Sequence, residues 1–490
     1  MRINIINITI LLIFIIIYQS LITFATTPTW SNLVFEGDGN DNMYNGIVLD
    51  NGAMIWGITT QSFGVSYSNW YNGAYLWMKI NAAGDVVSST LVELADPLVV
   101  YDLAYIPGKN YTVAVGADSN WRSIIIVVDS NGTVVGAYSL SPAPTGILYY
   151  YLTQVDYGPD GSLVLTGTYV TTSYQSYIWV TKADDNLTIL SSYSYPLRNN
   201  VAWTQTMNNS LLVIAGYRYY DLPWIAVLNY TDLSVKQAVT IGYSSSDIIN
   251  DIILYEDGIY FVGRVYNSSL GKSVGVLGKL DLSLTGQWAL LINYPEASKI
   301  SLHGASIIND NVFVVGYYKN GVNTSLVLLA NNTGFLKWSY SYKLIDRDTW
   351  FYTVSPLSSG YVIVMGGAGG QSTGMDTLSV LLDSYGREPY GCRIGALISV
   401  NSTLVSLPIT PLSLSGTDIM SSVQLQNLTY TESHPNVSLR TICPIVGGCV
   451  LNNDNLHNPT RIIGQYEVLI GISASSIVIL ILLYRKTRLA

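Results

Sequence analysis

Charge is scarce in this chain. Only 11% of its 490 residues are Asp, Glu, Lys or Arg, roughly half the usual share for a soluble globular protein. The balance is acidic, 32 against 23, for a net charge of -9, which argues against a basic nucleic-acid-binding surface. Histidine is scarcer still, at three residues. His303, His434 and His457 each lack a nucleophile nearby in sequence, which leaves little for imidazole catalysis. The three cysteines exclude a dense disulfide framework, and their odd number leaves one unpaired or intermolecular. Cys443 and Cys449 also miss zinc-ligand spacing.

Catalytic motifs are missing too. There is no Gly-x-Ser-x-Gly elbow and no zinc-protease helix. The glycine-rich run 366–370 lacks the Lys-Ser/Thr of a phosphate loop. The acidic group Glu36, Asp38, Asn40 and Asp41 lacks the glycine and closing Glu of a calcium hand, and reads as a solvated crossover turn. No catalytic residue, metal or cofactor is therefore expected.

Apolar residues, by contrast, make up 49% of the chain, with 38 Tyr and 42 Gly. That composition excludes wholesale disorder. Met1-Arg2 and the apolar run 3–18, with a small-residue exit near Ala25, predict a secretory signal peptide over 1–25 or, alternatively, an uncleaved signal anchor. A second apolar run, 468–484, is long enough for a transmembrane helix. Arg485, Lys486 and Arg488 follow it and predict a cytoplasmic tail, 485–490. The expectation is a single-pass type I protein of the cell membrane, with its ectodomain outside. Sequons at Asn110, Asn131, Asn186, Asn208, Asn229, Asn267, Asn323, Asn331, Asn401, Asn427 and Asn436 are candidate glycosylation sites and agree with that location.

Between the ends lies a repeat. A turn, an apolar strand ending in Gly, a variable loop and a second apolar strand recur seven times. The glycines are Gly57, Gly116, Gly167, Gly216, Gly263, Gly316 and Gly366, spaced by 59, 51, 49, 47, 53 and 50 positions. Turns at Asn51-Gly52, Asp160-Gly161 and Asp257-Gly258 precede some of them. Turn glycines Gly84, Gly132, Gly286, Gly334 and Gly386 follow the second strand. Four short strands per unit of about fifty residues describe a propeller blade. A row of β-sandwiches is the rival reading, and equal units without linkers favour the closed ring.

The cadence from Lys279-Leu280-Asp281 to Gly286-Gln287-Trp288, and from Gly334 to Trp338, resembles secreted and cell-surface β-propeller repeat proteins of bacteria and archaea, of the quinoprotein-like and kelch-like seven-bladed kind. The resemblance covers about residues 30–386. It implies an all-β, seven-bladed β-propeller, and it implies architecture rather than an activity. Residues 30–35, Trp-Ser-Asn-Leu-Val-Phe, match the fourth strand at 338–342 and are expected to close the last blade; Glu388 to Ser399 is the competing strand. Residues 387–465 read as a small β-rich, membrane-proximal stalk. It holds Cys392, Cys443 and Cys449, and a disulfide from Cys392 to Cys443 or Cys449 is expected outside the cell.

A ligand-binding or adhesion module is the function expected, with an extracellular polysaccharide or protein as partner and no nucleic acid. Alternatives are an extracellular enzyme of glycosidase-like or quinoprotein-like type, or a structural component of the cell envelope. Most ring sequons fall at turns of one face, so the variable loops of the other face become the candidate site. Those loops carry Trp70, Tyr71, Tyr174, Tyr177, Tyr219, Tyr220, Tyr266 and Tyr318, amphipathic rings suited to sugars or protein surfaces.

Overall fold

The computed structural model describes residues 30–437 and 439, apart from 50, 64–72, 143–145, 198–199, 219–220, 257, 345–346, 371–373 and 390–393. Apolar strands dominate it. Met54–Thr60 and Ala74–Ile80, for example, are almost wholly buried along their length, as expected of strands covered on both faces. Successive strands pair antiparallel and form four-stranded meanders. The chain is an all-β β-propeller.

The expectation of seven separate blades is corrected by the strand pairing. Among the described residues the main strands form six sheets. Five stand as separate blades of four or five strands, and the sixth is a single ten-stranded sheet. Fusion occurs where Ser273 and Lys299 form one parallel bridge between neighbouring meanders. The expected membrane span is not among the described elements. Among the described residues no helix is long and apolar enough to cross a membrane, and residues 468–484 lie outside them. The signal-like segment 1–25 and the tail 485–490 also lie outside.

Residues Asn32–Phe35 pair antiparallel with Gly374–Leu382 and occupy the fourth place in that sheet. The competing segment does not join it, because Gly395–Leu397 pair with Leu336–Tyr342 instead. Nearby, Asn32 Nδ2 donates to Glu388 Oε1 at 3.3 Å, and Glu388 Oε2 accepts from the amides of Ile394 and Gly395 at 2.7 and 2.9 Å.

The described part of the expected stalk is a belt on the outside of the ring. Its short strands add one after another to the outer strands of the sheets, running backwards through the sequence. Asn401–Val405 pair with Gly286–Asn293, and Ile409–Pro411 with Val235–Ile241. Thr417–Asp418 then pair with Ile189–Pro196, Gln424–Asn427 with Val134–Ser141, and Tyr430–Ser433 with Val86–Leu94. Outer strands expose unpaired N–H and C=O groups, and the belt satisfies them. Its apolar residues also plug the gaps between sheets. Leu407, Leu412, Leu414, Ile419, Val423, Leu428 and Val437 each join a core cluster. The β-rich character expected of this segment is therefore that of short strands laid against the ring.

The turns between third and fourth strands share one design. Asp129 Oδ1 accepts from the amides of Asn131 and Thr133 at 2.9 and 2.8 Å, and Gly132 takes a φ of +92°. Asn81, Asp184, Asp281, Asn331 and Asp383 accept the same two bonds in their turns. Leu187 and Leu284 hold the left-handed position where glycine is missing. Gly286, expected as a turn residue, instead starts a strand.

Candidate functional site

The repeated glycines lie within their strands rather than at the ends. Gly116 shows why. A Cβ there would sit 1.9 Å from the carbonyl oxygen of Val99, on the neighbouring inner strand. Gly167, Gly216, Gly263, Gly316 and Gly366 meet inner-strand carbonyls at 1.9–2.2 Å in the same way. Opposite each of them the inner strand carries a β-bulge. The register slips between Val100 and Asp102, Leu152 and Gln154, Ala202 and Thr204, Ile249 and Asp251, Leu302 and Gly304, and Phe351 and Thr353. Opposite Gly57 the slip lies between Asn42 and Asn45. A bulge leaves one residue unpaired and re-aims its side chain. Here the re-aimed residues are Tyr101, Thr153, Trp203, Asn250, His303 and Tyr352, with Tyr44 in the slipped segment. All of them line one axial cavity of about 110 Å³. That space suits a few waters or one small group, not a saccharide chain.

At two of the bulges the residue that follows, Asp102 or Asp251, ties neighbouring meanders together. Asp102 Oδ2 accepts from the Val155 amide at 2.8 Å, and its Oδ1 accepts from Asn45 Nδ2. Asp251 Oδ2 accepts from the Ala305 amide at 2.9 Å, and its Oδ1 from Thr204 Oγ1 at 3.0 Å. Burial pushes the carboxyl of Asp251 up to about 6 and raises that of Asp102. Asp156 is raised by burial and then by the charge of Asp102. These carboxyls are engaged by backbone amides and side-chain donors around the ring, which makes them braces for the inner strands. His303 is opposite in sign. Burial, then the charges of Arg264 and Lys299, lower it to about 3, so its imidazole is neutral. Its buried Nε2 makes no hydrogen bond.

Around the cavity the aromatic rings form a wall. Trp121, on a loop between second and third strands, contacts Tyr151 at 5.4 Å; Tyr151 contacts Tyr101 at 6.4 Å, and Tyr101 contacts Trp203 at 6.0 Å. The wall continues from Tyr101 to Tyr44 at 5.8 Å, to Tyr352 at 5.4 Å and to His303 at 5.2 Å. Tyr217 and Tyr317 extend it outward against Trp203 and His303. Tyr44, Tyr101, Trp203 and Tyr352 are half-buried. The wall thus opens on the end of the ring that carries the second-to-third-strand loops.

The four loop residues that are described, Tyr174, Tyr177, Tyr266 and Tyr318, are not gathered into one site. Trp70, Tyr71, Tyr219 and Tyr220 lie outside the described residues. Tyr174 is 75% exposed. Tyr177 stacks on Tyr169 at 4.8 Å and donates its hydroxyl to Gln175. Tyr266 lines a surface hollow with Tyr243 and Asn267, and Tyr318 is buried against Tyr294. The rim residues were missed although they carry a signal: each stands 13 to 15 positions before its unit glycine, from Tyr44 before Gly57 to Tyr352 before Gly366.

His303 lies within Lys299–Ile308 and lines the axial cavity. His434 follows the last belt strand, 3.4 Å from Glu432. His457 and the three cysteines lie outside the described residues. Asp38 accepts from the Phe63 amide and Asn40 donates to Gln61 across to a neighbouring loop, while Asp41 accepts from the Gly37 amide and is buried rather than solvated. Among the ring sequons, Asn131, Asn186, Asn229 and Asn331 sit at third-to-fourth-strand turns, and Asn110 and Asn208 at first-to-second turns. Asn267 ends one strand, Asn323 lies in another, and Asn401 and Asn427 are on the belt with exposed Asn436 beyond them.

No known protein family matches the chain, and no curated protein matches it. Solved structures similar to it include the Dos1 propeller, 9% identical with a TM-score of 0.46, over 72% of this chain and 95% of that one. The Neurospora crassa Pan2 WD40 domain is 8% identical with a TM-score of 0.34, over 60% and 90%. Trypanosoma rangeli sialidase in complex with the inhibitor DANA is 7% identical with a TM-score of 0.31, over 81% and 92%. Likenesses this distant carry no argument about what the chain binds. They do not assign it to the quinoprotein-like or kelch-like kind.

Proposed function

We propose that this β-propeller is a ligand-binding module of the cell exterior and that carbohydrate is the class it binds. The observation behind this reading is the continuous aromatic wall from Trp121 through Tyr101 and Tyr352 to His303, set around a polar axial cavity. Aromatic faces stack on the apolar faces of sugar rings, while edge hydroxyls and amides meet the sugar hydroxyls. Gln154 and Asn250 supply such groups at the cavity. The Asp102 and Asp251 carboxyls serve the ring itself, which favours binding over hydrolysis. The sequons on the turns and belt suit an exterior location, and a disulfide from Cys392 to Cys443 or Cys449 belongs to the same reading.

A glycan array probed with the full-length chain tests it. Binding to a defined set of glycans, lost in Trp203→Ala while the fold is retained, is the expected result. An array with no binding at all contradicts the reading.

A further inference from the structure

One side of the rim differs from the rest in charge. His303 stacks on Tyr317 at 5.4 Å. Lys299 Nζ donates to the Tyr317 hydroxyl at 3.1 Å and lies 5.6 Å from its ring centre. Arg264 approaches from the preceding meander. Strand alternation puts it on the face that carries Tyr260 and Val262, and those two pack with Ile300 and Leu302 beside His303. The Ser273–Lys299 bridge pins the two meanders together at this point. Both cations are half-buried.

Neither cation makes an ion pair among the described residues, although the chain as a whole is acidic. The neighbouring carboxylates are engaged elsewhere. Asp348 accepts from the Asn323 amide and side chain, Asp251 from Ala305 and Thr204, and Glu296 from the Tyr294 hydroxyl. Two unpaired cations held beside a neutral imidazole and an aromatic wall form a receptor for an anion that also carries an apolar face.

Resting on the carbohydrate reading above, we propose that Arg264 and Lys299 receive the carboxylate of an acidic sugar whose ring stacks on the wall of Tyr317, His303 and Tyr352.

The test titrates the full-length chain with tri-galacturonic acid and with its methyl ester, which keeps the rings and removes the charge. The wild type should bind the acid about tenfold more tightly, a preference that shrinks as salt rises. Arg264→Gln and Lys299→Gln should each bring acid and ester to similar affinity, with thermal melting confirming that both variants fold. Equal binding of acid and ester by the wild type overturns this inference and leaves the carbohydrate reading standing. Failure to bind either compound also overturns it, and the glycan array then decides the broader reading separately.

Discussion

Trp30 lies beneath the turn at Gly84: a Cβ added to that glycine would fall 3.0 Å from the Trp30 ring. Trp288 and Gly334, at 2.8 Å, and Trp338 and Gly386, at 2.7 Å, repeat the relationship elsewhere in the ring. A tryptophan at the start of an outer strand thus supports the turn of the next meander. Trp30 does so from the N-terminal side and joins the first part of the ring to the last. Truncating this buried ring should be costly. Trp30→Ala is expected to destabilise the fold by about 3–5 kcal/mol, read as a fall in the urea midpoint with an unchanged slope. A midpoint within error of the wild type would show that the N-terminal strand does not hold the ring.

The glycines opposite the bulges make a sharper test. At Gly116 a methyl group would collide with the Val99 carbonyl, whereas at Gly108 it would meet nothing within 4 Å. Gly116→Ala should therefore cost roughly 3 kcal/mol or more, or prevent folding. Gly108→Ala should be close to neutral. Thermal melts of the pair check this, and equal stability would refute the bulge explanation of the repeat.

Buried carboxyls set a pH dependence. Burial raises Asp41 to about 7 and Asp251 to about 6, both well above the ordinary carboxylate range. Between about pH 4 and 7 these two carboxyls hold more protons in the folded chain than in the unfolded one, so the stability they contribute falls as pH rises. The contribution of these groups is fully present below the unfolded value and lost above the folded one. Melting temperature should be several degrees higher at pH 4.5 than at pH 8, and Asp41→Asn should flatten part of the slope. A melting temperature that rises with pH across this window would contradict the assignment.

The two ends of the belt reach the same N-terminal strand. Ile394 packs with Val34, and Val437 with Leu33 and Phe35. A disulfide from Cys392 to Cys443 or Cys449 would hold the belt closed. In the chain-entropy model a loop of this length is worth roughly 4 kcal/mol. Non-reducing peptide mapping should find one such bridge, and three free thiols would refute it.

The ring was legible because its repeat is written in turns. Asp-x-x-Gly spacing marks the Asx turns, and Lys182 before Asp184 marks a strand end whose amine reaches the Asp160 carboxylate at 2.8 Å. Sheet count was not legible, because a single bridge at Ser273 and Lys299 merges two meanders and no composition signals it. The belt was misread for a related reason. Residues 395–433 alternate like any half-buried strand, and alternation does not say which edge a strand will join. Site residues were sought in loops, where aromatics are conspicuous. Tyr101 and Trp203 instead stand inside apolar strands, and only the bulge turns them to the axis.

The central claim is that the ligand meets the axial rim rather than the outlying loops. The most direct measurement compares two variants by titration with the tightest glycan found on the array. Trp203→Ala removes a ring from the rim, and Trp70→Ala with Tyr71→Ala removes loop aromatics. Loss of a central aromatic should weaken binding by about 2 kcal/mol or more, some thirtyfold, while the loop variant should bind within about threefold of the wild type. Undiminished binding by folded Trp203→Ala, together with loss in the loop variant, would contradict the account.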